Sequence, residues 1–337
     1  MTSLRIRVSG PGAFALVAGT ALAHRLEGGG GHISIAATEG FDPAQIVLLR
    51  PEFHRFHAAI GMDTAALAQS GARPVFATDI GSVSLPFTPH GSPRGGAEFH
   101  QHWLRSRTLG RTEAIGAFSP SQALDGRSGA VSLATAERLP AEHGIAIAHG
   151  AYAELLRARA NALGAVLEAA GDERSADLTF ECTPTDRAPC WDGAKVALAG
   201  AYRVPGMALR SALVGAQRWL SLAARPDESA AEQREFNRLS AAEAERIADM
   251  EALLLDDDPS ATERPALARK ITVFTACGRI PAEDYEVFAP QEWLAALLAR
   301  GFYPRRHDRL ADALPEGELM TWLDRIKQEV ASLGDAA

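Results

Sequence analysis

Apolar and polar positions in the first fifty residues follow the order strand, turn, helix, turn, strand. The apolar positions of Leu4–Val8 predict a strand, and those of Ala13–Leu26 predict the helix that follows it. Alternation in His32–Ala37 predicts a second short strand, and Gln45–Leu49 is a further apolar run. This order predicts an α/β domain at the start of the chain.

Helical periodicity dominates further along the chain. It predicts helices at Glu52–Gly61, Phe99–Leu109, Gly150–Leu163, Glu232–Leu255, Pro290–Arg300 and Gly317–Leu333. Strand patterns are predicted at Pro74–Leu85, Asp177–Cys182 and Lys270–Phe274. The balance of elements predicts two domains: an α/β domain over residues 1–215 and a mostly helical C-terminal lobe over residues 216–337.

Composition excludes several classes of protein. The 337 residues are 47% hydrophobic and 23% charged, which is typical of globular proteins rather than disordered ones. The net charge is −8, and binding to nucleic acid usually needs a concentrated basic face, so we expect no nucleic-acid partner. No long uncharged apolar run is present, so we expect no membrane-spanning segment.

The N-terminus admits two interpretations. Arg5 and Arg7 precede an apolar stretch that ends Ala21-Leu22-Ala23, which has the outline of a secretory signal peptide. Pro11 and Gly12 interrupt that stretch, so we favour strand, turn and helix. The three cysteines form no CxxC motif, which fits a reducing compartment, and we therefore expect a cytoplasmic protein.

The turn between the first strand and helix carries a GxGxxA pattern, with Gly10, Gly12 and Ala15 at its defined positions. Such a turn lets a dinucleotide diphosphate approach the backbone at the helix N-terminus, while an acid after the second strand binds the ribose. Glu39 is the nearest acid, although it falls slightly late. The alternative is a Rossmann-like turn that has lost its nucleotide.

Histidines cluster at two predicted helices, as His54 with His57 and as His100 with His102. Two histidines on one helical turn can bind zinc, but no third ligand stands at a supporting spacing. We therefore predict ordinary helix-surface histidines and no metal site.

Several segments together resemble the flavin-dependent tryptophan halogenases. Arg50–Asp63 (RPEFHRFHAAIGMD) is similar to the family pattern P.I..FH..LGID, and Phe99–Gly110 (FHQHWLRSRTLG) to FHHHWLR...G. Ala176–Cys182 (ADLTFEC) is similar to ADLFVDCSG. Near the C-terminus, Gly278–Leu294 and Gly301–Asp312 resemble the family's closing motifs. The resemblance implies a Rossmann-like FAD-binding core of the monooxygenase and halogenase type.

The chain departs from the family where the resemblance would place its chemistry. The family's flavin strap, GEAT, would fall where this chain has Ile46–Leu49. The family's catalytic lysine lies in an F-K-L-G-I strand, and Ala77 stands at that place in Phe76–Ile80. The WxWxIP motif is absent, and Val196–Tyr202 follows Cys182 almost at once. These departures imply a shortened substrate sheet and no catalytic residue at Ala77.

Three functions remain open at this stage. The first is a catalytically degenerate, halogenase-like accessory or partner subunit that binds FAD weakly or not at all. The alternative is an active FAD-dependent halogenase or monooxygenase acting on tryptophan or another indole, supplied by a flavin reductase. The third is a plain nucleotide-binding module. Because the shortened sheet would leave apolar strands uncovered, we expect a homo-oligomer or a complex with a full-length halogenase-like chain.

Overall fold

The computed structural model describes residues 4–27, 31–125, 130–168, 175–222 and 230–336. The chain divides into two compact units, each made of two segments. Unit one comprises Met1–Arg73 with Ile145–Glu245, and unit two comprises Pro74–Gly144 with Arg246–Ala337. The two units are therefore interleaved along the sequence, and the division predicted after residue 215 falls inside a helix, Met207–Leu222.

A six-stranded sheet forms the centre of unit one. In spatial order its strands are β10 (Cys190–Asp192), β11 (Lys195–Ala197), β9 (Leu178–Glu181), β1 (Arg5–Pro11), β2 (His32–Thr38) and β8 (Val166–Leu167). All neighbouring pairs are parallel except the edge pair of β10 and β11, which is antiparallel. The predicted Rossmann-like α/β core is confirmed, and its sheet is mostly parallel.

The helices of unit one cover this sheet. They are α1 (Gly12–Leu26), α2 (Phe53–Ile60), α3 (Thr64–Gln69), α7 (His149–Ala162), α8 (Met207–Leu222) and the first part of α9 (Ala230–Leu255). Helix α1 is buried at every position from Ala13 to Ala23, because it lies between the sheet, α7 and α8. A helix that is apolar all round is typical of such a central position. A further strand, β3 (Ile46–Leu49), pairs antiparallel with β7 (Gly144–Ala148).

The apolar strands that we expected to be uncovered are buried within unit one. Phe180, Val196 and Leu198 are each 0% exposed, and Leu178 is 6% exposed. The ring of Trp219 on α8 stands edge-on to Phe180, with 5.1 Å between the ring centroids. The expectation of an uncovered apolar surface was wrong, because α8, which the sequence reading did not identify, supplies the missing cover.

Unit two is mostly helical. Its elements are β5 (Ala77–Ile80), β6 (Val83–Pro86), α4 (Phe99–Thr108), α5 (Pro120–Asp125), α6 (Leu133–Ala136), the end of α9, α10 (Pro265–Cys277), α11 (Pro290–Ala299) and α12 (Glu316–Ala336). A short strand, β4 (Arg73–Val75), lies at the boundary of the two units. One core cluster joins Phe99 and Trp103 of α4 to Leu319 and Trp322 of α12. The mostly helical character predicted for the C-terminal part is confirmed.

The predicted strand at Lys270–Phe274 was wrong, since these residues lie in α10. Their β-branched composition favours a strand locally, but Leu267, Lys270, Ile271 and Phe274 are buried at helical spacing. Pro265 begins the helix and Gly278 ends it in the left-handed conformation. Tertiary packing therefore overrides the local preference. Among the described residues, no helix combines the length and hydropathy that crossing a membrane requires.

Candidate functional site

The glycine turn of unit one has the backbone that its sequence predicts. Gly10 at the end of β1 has φ of 147° and Gly12 at the start of α1 has φ of 42°, both in the region that favours glycine. A Cβ at Gly10 would lie 2.9 Å from Cys182 Cβ, so glycine is also required for packing there. Ala15 is fully buried against the core, and Glu39 is exposed just after β2.

The N-terminus of α1 is occupied by a side chain from elsewhere in unit one. The Ala13 N–H donates to His149 Nε2 at 2.9 Å, and the imidazole is only 4% exposed. A Cβ built on Gly12 would lie 2.6 Å from His149 Cε1. Because Nε2 accepts this hydrogen bond, it carries no proton. Burial lowers the pKa of His149, which favours the neutral ring.

A loop between β2 and β3 covers this imidazole. Phe41 stacks on Phe14 with 5.3 Å between ring centroids and stands edge-on to His149 at 5.2 Å. The His149 N–H donates to Gln45 O at 2.8 Å, and the Gly150 N–H donates to Pro43 O at 2.9 Å. The loop and the start of α7 are therefore joined by main-chain hydrogen bonds.

These residues, arranged in this way, do not fit a dinucleotide. A diphosphate at such a turn needs the open face of the glycine and the free N–H groups of the first helical turn. Here the face of Gly12 is filled by His149, and the same ring uses the Ala13 N–H. The positions where the family's flavin strap was expected form strand β3 instead, in register with β7 from Ile46 opposite Ala148 to Leu49 opposite Ile145.

Ala77 lies in unit two, in the hairpin of β5 and β6. Its backbone is paired with Pro86, and the residue is 6% exposed. The alanine methyl group offers no hydrogen bond and no nucleophile at the place where the resemblance puts the family's lysine.

Unit two contains a cavity of about 1330 Å³. Its lining residues begin with Thr88, two positions after the end of this hairpin. Several of its walls are apolar, formed by Phe99, Leu294, Trp322, Val330 and Leu333. None of the described residues that line it is a lysine, and Ala77 is not part of the lining. Concave sites with apolar walls and a few polar groups are the usual form of small-molecule sites.

His90 is a buried polar group of the cavity. It is 6% exposed, and it lines the cavity. Burial, with a smaller contribution from His100, lowers the pKa of His90 to about 4. The ring is therefore neutral near pH 7, with one donor and one acceptor for a ligand.

Other polar residues that line the cavity are fixed by internal hydrogen bonds. His100 Nε2 donates to Gly278 O at 2.6 Å, and Gln101 Oε1 accepts from the Asp308 N–H at 2.8 Å. The Asp308 carboxylate pairs with Arg279 at 2.5 Å. This pairing neutralises the Arg279 charge at the cavity wall.

We predicted that the paired histidines lie on helix surfaces. This was wrong for His57, His100 and His102, which are buried. His57 is 3% exposed with Nε2 2.9 Å from Tyr152 Oη, and His102 is 1% exposed with Nε2 2.9 Å from Arg94 O. Both are held by hydrogen bonds within their own units. Within the described ranges, no group of three or more His, Cys, Asp and Glu is arranged to hold a metal ion.

The sequence pattern predicts Gly10 and Gly12 as site residues but gives no signal for His149 or His90. His149 directly follows Gly144–Ala148, a strand that was not predicted. Recognising that strand would have placed His149 at a strand-to-helix junction, where ligand-facing residues concentrate in α/β folds. His90 lies in a loop rich in proline and glycine, and no spacing singles it out.

Comparisons with known proteins identify the fold and match one segment to a family model. Residues 204–316 match the family model described as tryptophan halogenase. A sequence comparison with curated proteins gives no match. BrvH, a flavin-dependent halogenase from Brevundimonas sp. BAL3, has 19% sequence identity and a TM-score of 0.82, over 99% of this chain and 97% of that chain.

Two further halogenases are similar over almost their whole lengths. For Xcc4156, a flavin-dependent halogenase from Xanthomonas campestris, identity is 17% and the TM-score 0.83, over 99% of this chain and 96% of that one. For Tar14, a tryptophan C-6 flavin-dependent halogenase from taromycin biosynthesis, the sequence identity is 12% and the TM-score is 0.75, over 99% of this chain and 97% of that chain. The resemblance drawn from the motifs is confirmed: the chain has the flavin-dependent halogenase fold throughout, and residues 204–316 match the tryptophan halogenase family model.

Proposed function

We propose that this chain is a catalytically degenerate, tryptophan halogenase-like protein that acts as an accessory or partner subunit. The observation that carries the proposal is the lining of the cavity in unit two, which has no lysine among its described residues, while Ala77 is buried in the hairpin beside it in sequence. Catalysis needs a group positioned at the reacting atom. Alanine supplies neither a hydrogen bond nor an amine.

The remaining groups of the cavity suit binding better than halogen transfer. His90 is neutral and buried, and Arg279 is paired with Asp308. The apolar walls and the buried imidazole would accept an aromatic ligand that carries one polar group. An accessory subunit that holds such a ligand without reacting with it fits these features.

We further propose that FAD binds weakly or not at all. The proposal is supported by His149 on the N-terminus of α1 and by strand β3 in place of the strap. FAD titrated into the purified protein and followed by flavin fluorescence would show no saturation at micromolar concentrations. A flavin that copurifies at one per chain and survives gel filtration would contradict this.

A halogenation assay tests the loss of catalysis. The protein would be supplied with a flavin reductase, FAD, chloride or bromide, and tryptophan or indole, with a known halogenase such as BrvH as the positive control. Mass spectrometry is expected to find no halogenated product above the no-protein level. Product above that level would favour the second candidate function.

That second candidate is an active FAD-dependent halogenase or monooxygenase for another aromatic substrate. It is favoured by one observation, the cavity itself, which keeps aromatic walls and a buried imidazole. Screening larger aromatic substrates in the same assay separates the two functions, because a degenerate protein converts none of them.

The partner remains a proposal: a second copy of this chain, a full-length halogenase-like chain, or, for an active enzyme, a flavin reductase. The buried strands of unit one no longer argue for it, so it rests on the degenerate site alone. Light scattering at micromolar concentration, repeated after coexpression with a full-length halogenase, measures the mass directly. A mass of one chain in both samples would exclude the partner-subunit role.

A further inference from the structure

We propose that His149 is an internal plug of the glycine turn, which must leave the N-terminus of α1 before a nucleotide diphosphate can bind there. The plug is a side chain of this protein in the position that an anionic ligand would take. This inference deepens the proposed weak binding of FAD and rests on the same side chain, but it does not depend on the proposed loss of halogenation.

The first part of the argument is steric. A Cβ at Gly12 would lie 2.6 Å from His149 Cε1 and 2.7 Å from Nε2, so the imidazole fills the open side of this glycine. In a dinucleotide turn, the missing side chain at this glycine is what lets the diphosphate approach the backbone. The diphosphate and the ring therefore compete for one space.

The second part concerns hydrogen bonding and charge. The Ala13 N–H can donate one hydrogen bond, and it donates this bond to His149 Nε2 at 2.9 Å. The N-terminus of a 15-residue helix such as α1 carries a partial positive charge that favours an anion. A neutral ring satisfies the donor but does not offset this charge. A diphosphate would do both, so it is the stronger partner once the ring has moved.

The third part concerns what holds the ring. Phe14 lies at its inner side and Phe41, which is 37% exposed, at its outer side. A Cβ at Gly150 would lie 2.8 Å from Pro43 Cβ, so this glycine lets the loop pack closely on the start of α7. Opening the turn requires rotation of the His149 side chain and movement of Phe41. The apparent affinity for a nucleotide is reduced by the fraction of molecules that are open.

Calorimetric titration of ADP and FAD into wild type and three variants tests the plug. His149→Ala removes the ring and is expected to bind ADP at least about tenfold more tightly than wild type, because the closed state is lost. His149→Gln keeps an acceptor for the Ala13 N–H and is expected to stay within about threefold of wild type. His32→Ala removes an exposed histidine of the same unit and leaves affinity unchanged.

Two results overturn the inference: His149→Ala binding ADP no more tightly than wild type, or wild type binding FAD tightly as isolated. Circular dichroism checks that each variant is folded. Where His149→Ala does not fold, nitrogen-15 spectra of the histidine rings in wild type decide. The ring signals that are lost in His149→Gln are expected to show a protonated Nδ1 and an unprotonated Nε2, and the opposite tautomer overturns the plug.

Discussion

The Nζ of Lys270 donates to Glu286 Oε2 at 2.7 Å and lies 4.4 Å from the centroid of the Trp293 ring. Lys270 also donates to Pro281 O at 2.8 Å and is 1% exposed. The buried ammonium thus ties α10 to the segment before α11, a segment in which Tyr285 has φ of 60°. A charge in this position is tolerated because two acceptors and an aromatic face surround the ammonium.

Lys270→Ala is expected to lower the free energy of unfolding by about 3–5 kcal/mol, because it leaves the Glu286 carboxylate without its buried partner. Urea denaturation measures the loss. Lys327→Ala is the matched control, since its ammonium is 46% exposed and pairs with Glu113 at the surface. The control is expected to change stability by less than about 1 kcal/mol. Equal losses in the two variants would show that the Lys270 contacts contribute little.

Lys270 also shows where sequence reading stops. Helices such as Glu232–Leu255 were predicted because their apolar spacing is a local property of the chain. In contrast, β-branched residues after Lys270 favour a strand locally, and the helix is selected by the burial of one face of α10. Strand Gly144–Ala148 was missed for a similar reason, because its partner β3 lies about a hundred residues earlier in the chain.

The candidate site divides in the same way. Gly10 and Gly12 were identified because a glycine pattern between a strand and a helix has a local physical cause. The residue that determines whether the turn is open, His149, lies 136 positions away from its partner Ala13. No spacing rule connects two such residues, so this part of the site needed the three-dimensional structure.

Phe180→Ala tests whether the sheet of unit one is covered by its own helices. Phe180 is 0% exposed beneath Trp219, so the variant is expected to lose about 3–5 kcal/mol of unfolding free energy. Val166→Ala, at a strand residue that is 42% exposed, is the control and is expected to change stability by no more than about 0.5 kcal/mol. If Phe180→Ala lost less than about 1 kcal/mol, close to the change in the control, the ring would lie on an open surface.

Buried histidines predict loss of stability in mild acid. Burial lowers the pKa of His57 to about 3 and that of His90 to about 4, both below the ordinary value of 6.5. As the pH falls below 6.5, the unfolded chain takes up protons that these rings in the folded chain do not, so folding becomes less favourable. Each such histidine contributes a slope of about 1.4 kcal/mol per pH unit until its folded pKa is reached.

Urea denaturation at intervals between pH 7 and pH 4.5 measures this slope. His90→Asn is expected to reduce it by about the contribution of one histidine. His32→Ala, which removes an exposed ring, is expected to leave the slope unchanged. A slope for His90→Asn equal to that of wild type would mean that His90 titrates normally in the folded protein.

A double-mutant cycle between Gly12 and His149 measures their contact directly. Gly12→Ala introduces a Cβ at φ of 42° and 2.6 Å from His149 Cε1, so it combines backbone strain with a clash. The strain costs about 1–3 kcal/mol in any background. The clash is expected to add to this loss only while the imidazole is present, so Gly12→Ala should be less destabilising in His149→Ala, with a coupling energy of about 1 kcal/mol or more.

Gly71→Ala is the control, because Gly71 has φ of 79° but nothing within 4 Å of its added Cβ, and it should show strain without coupling to His149. Equal coupling of both glycines to His149 would show that the imidazole does not lie against Gly12 in solution.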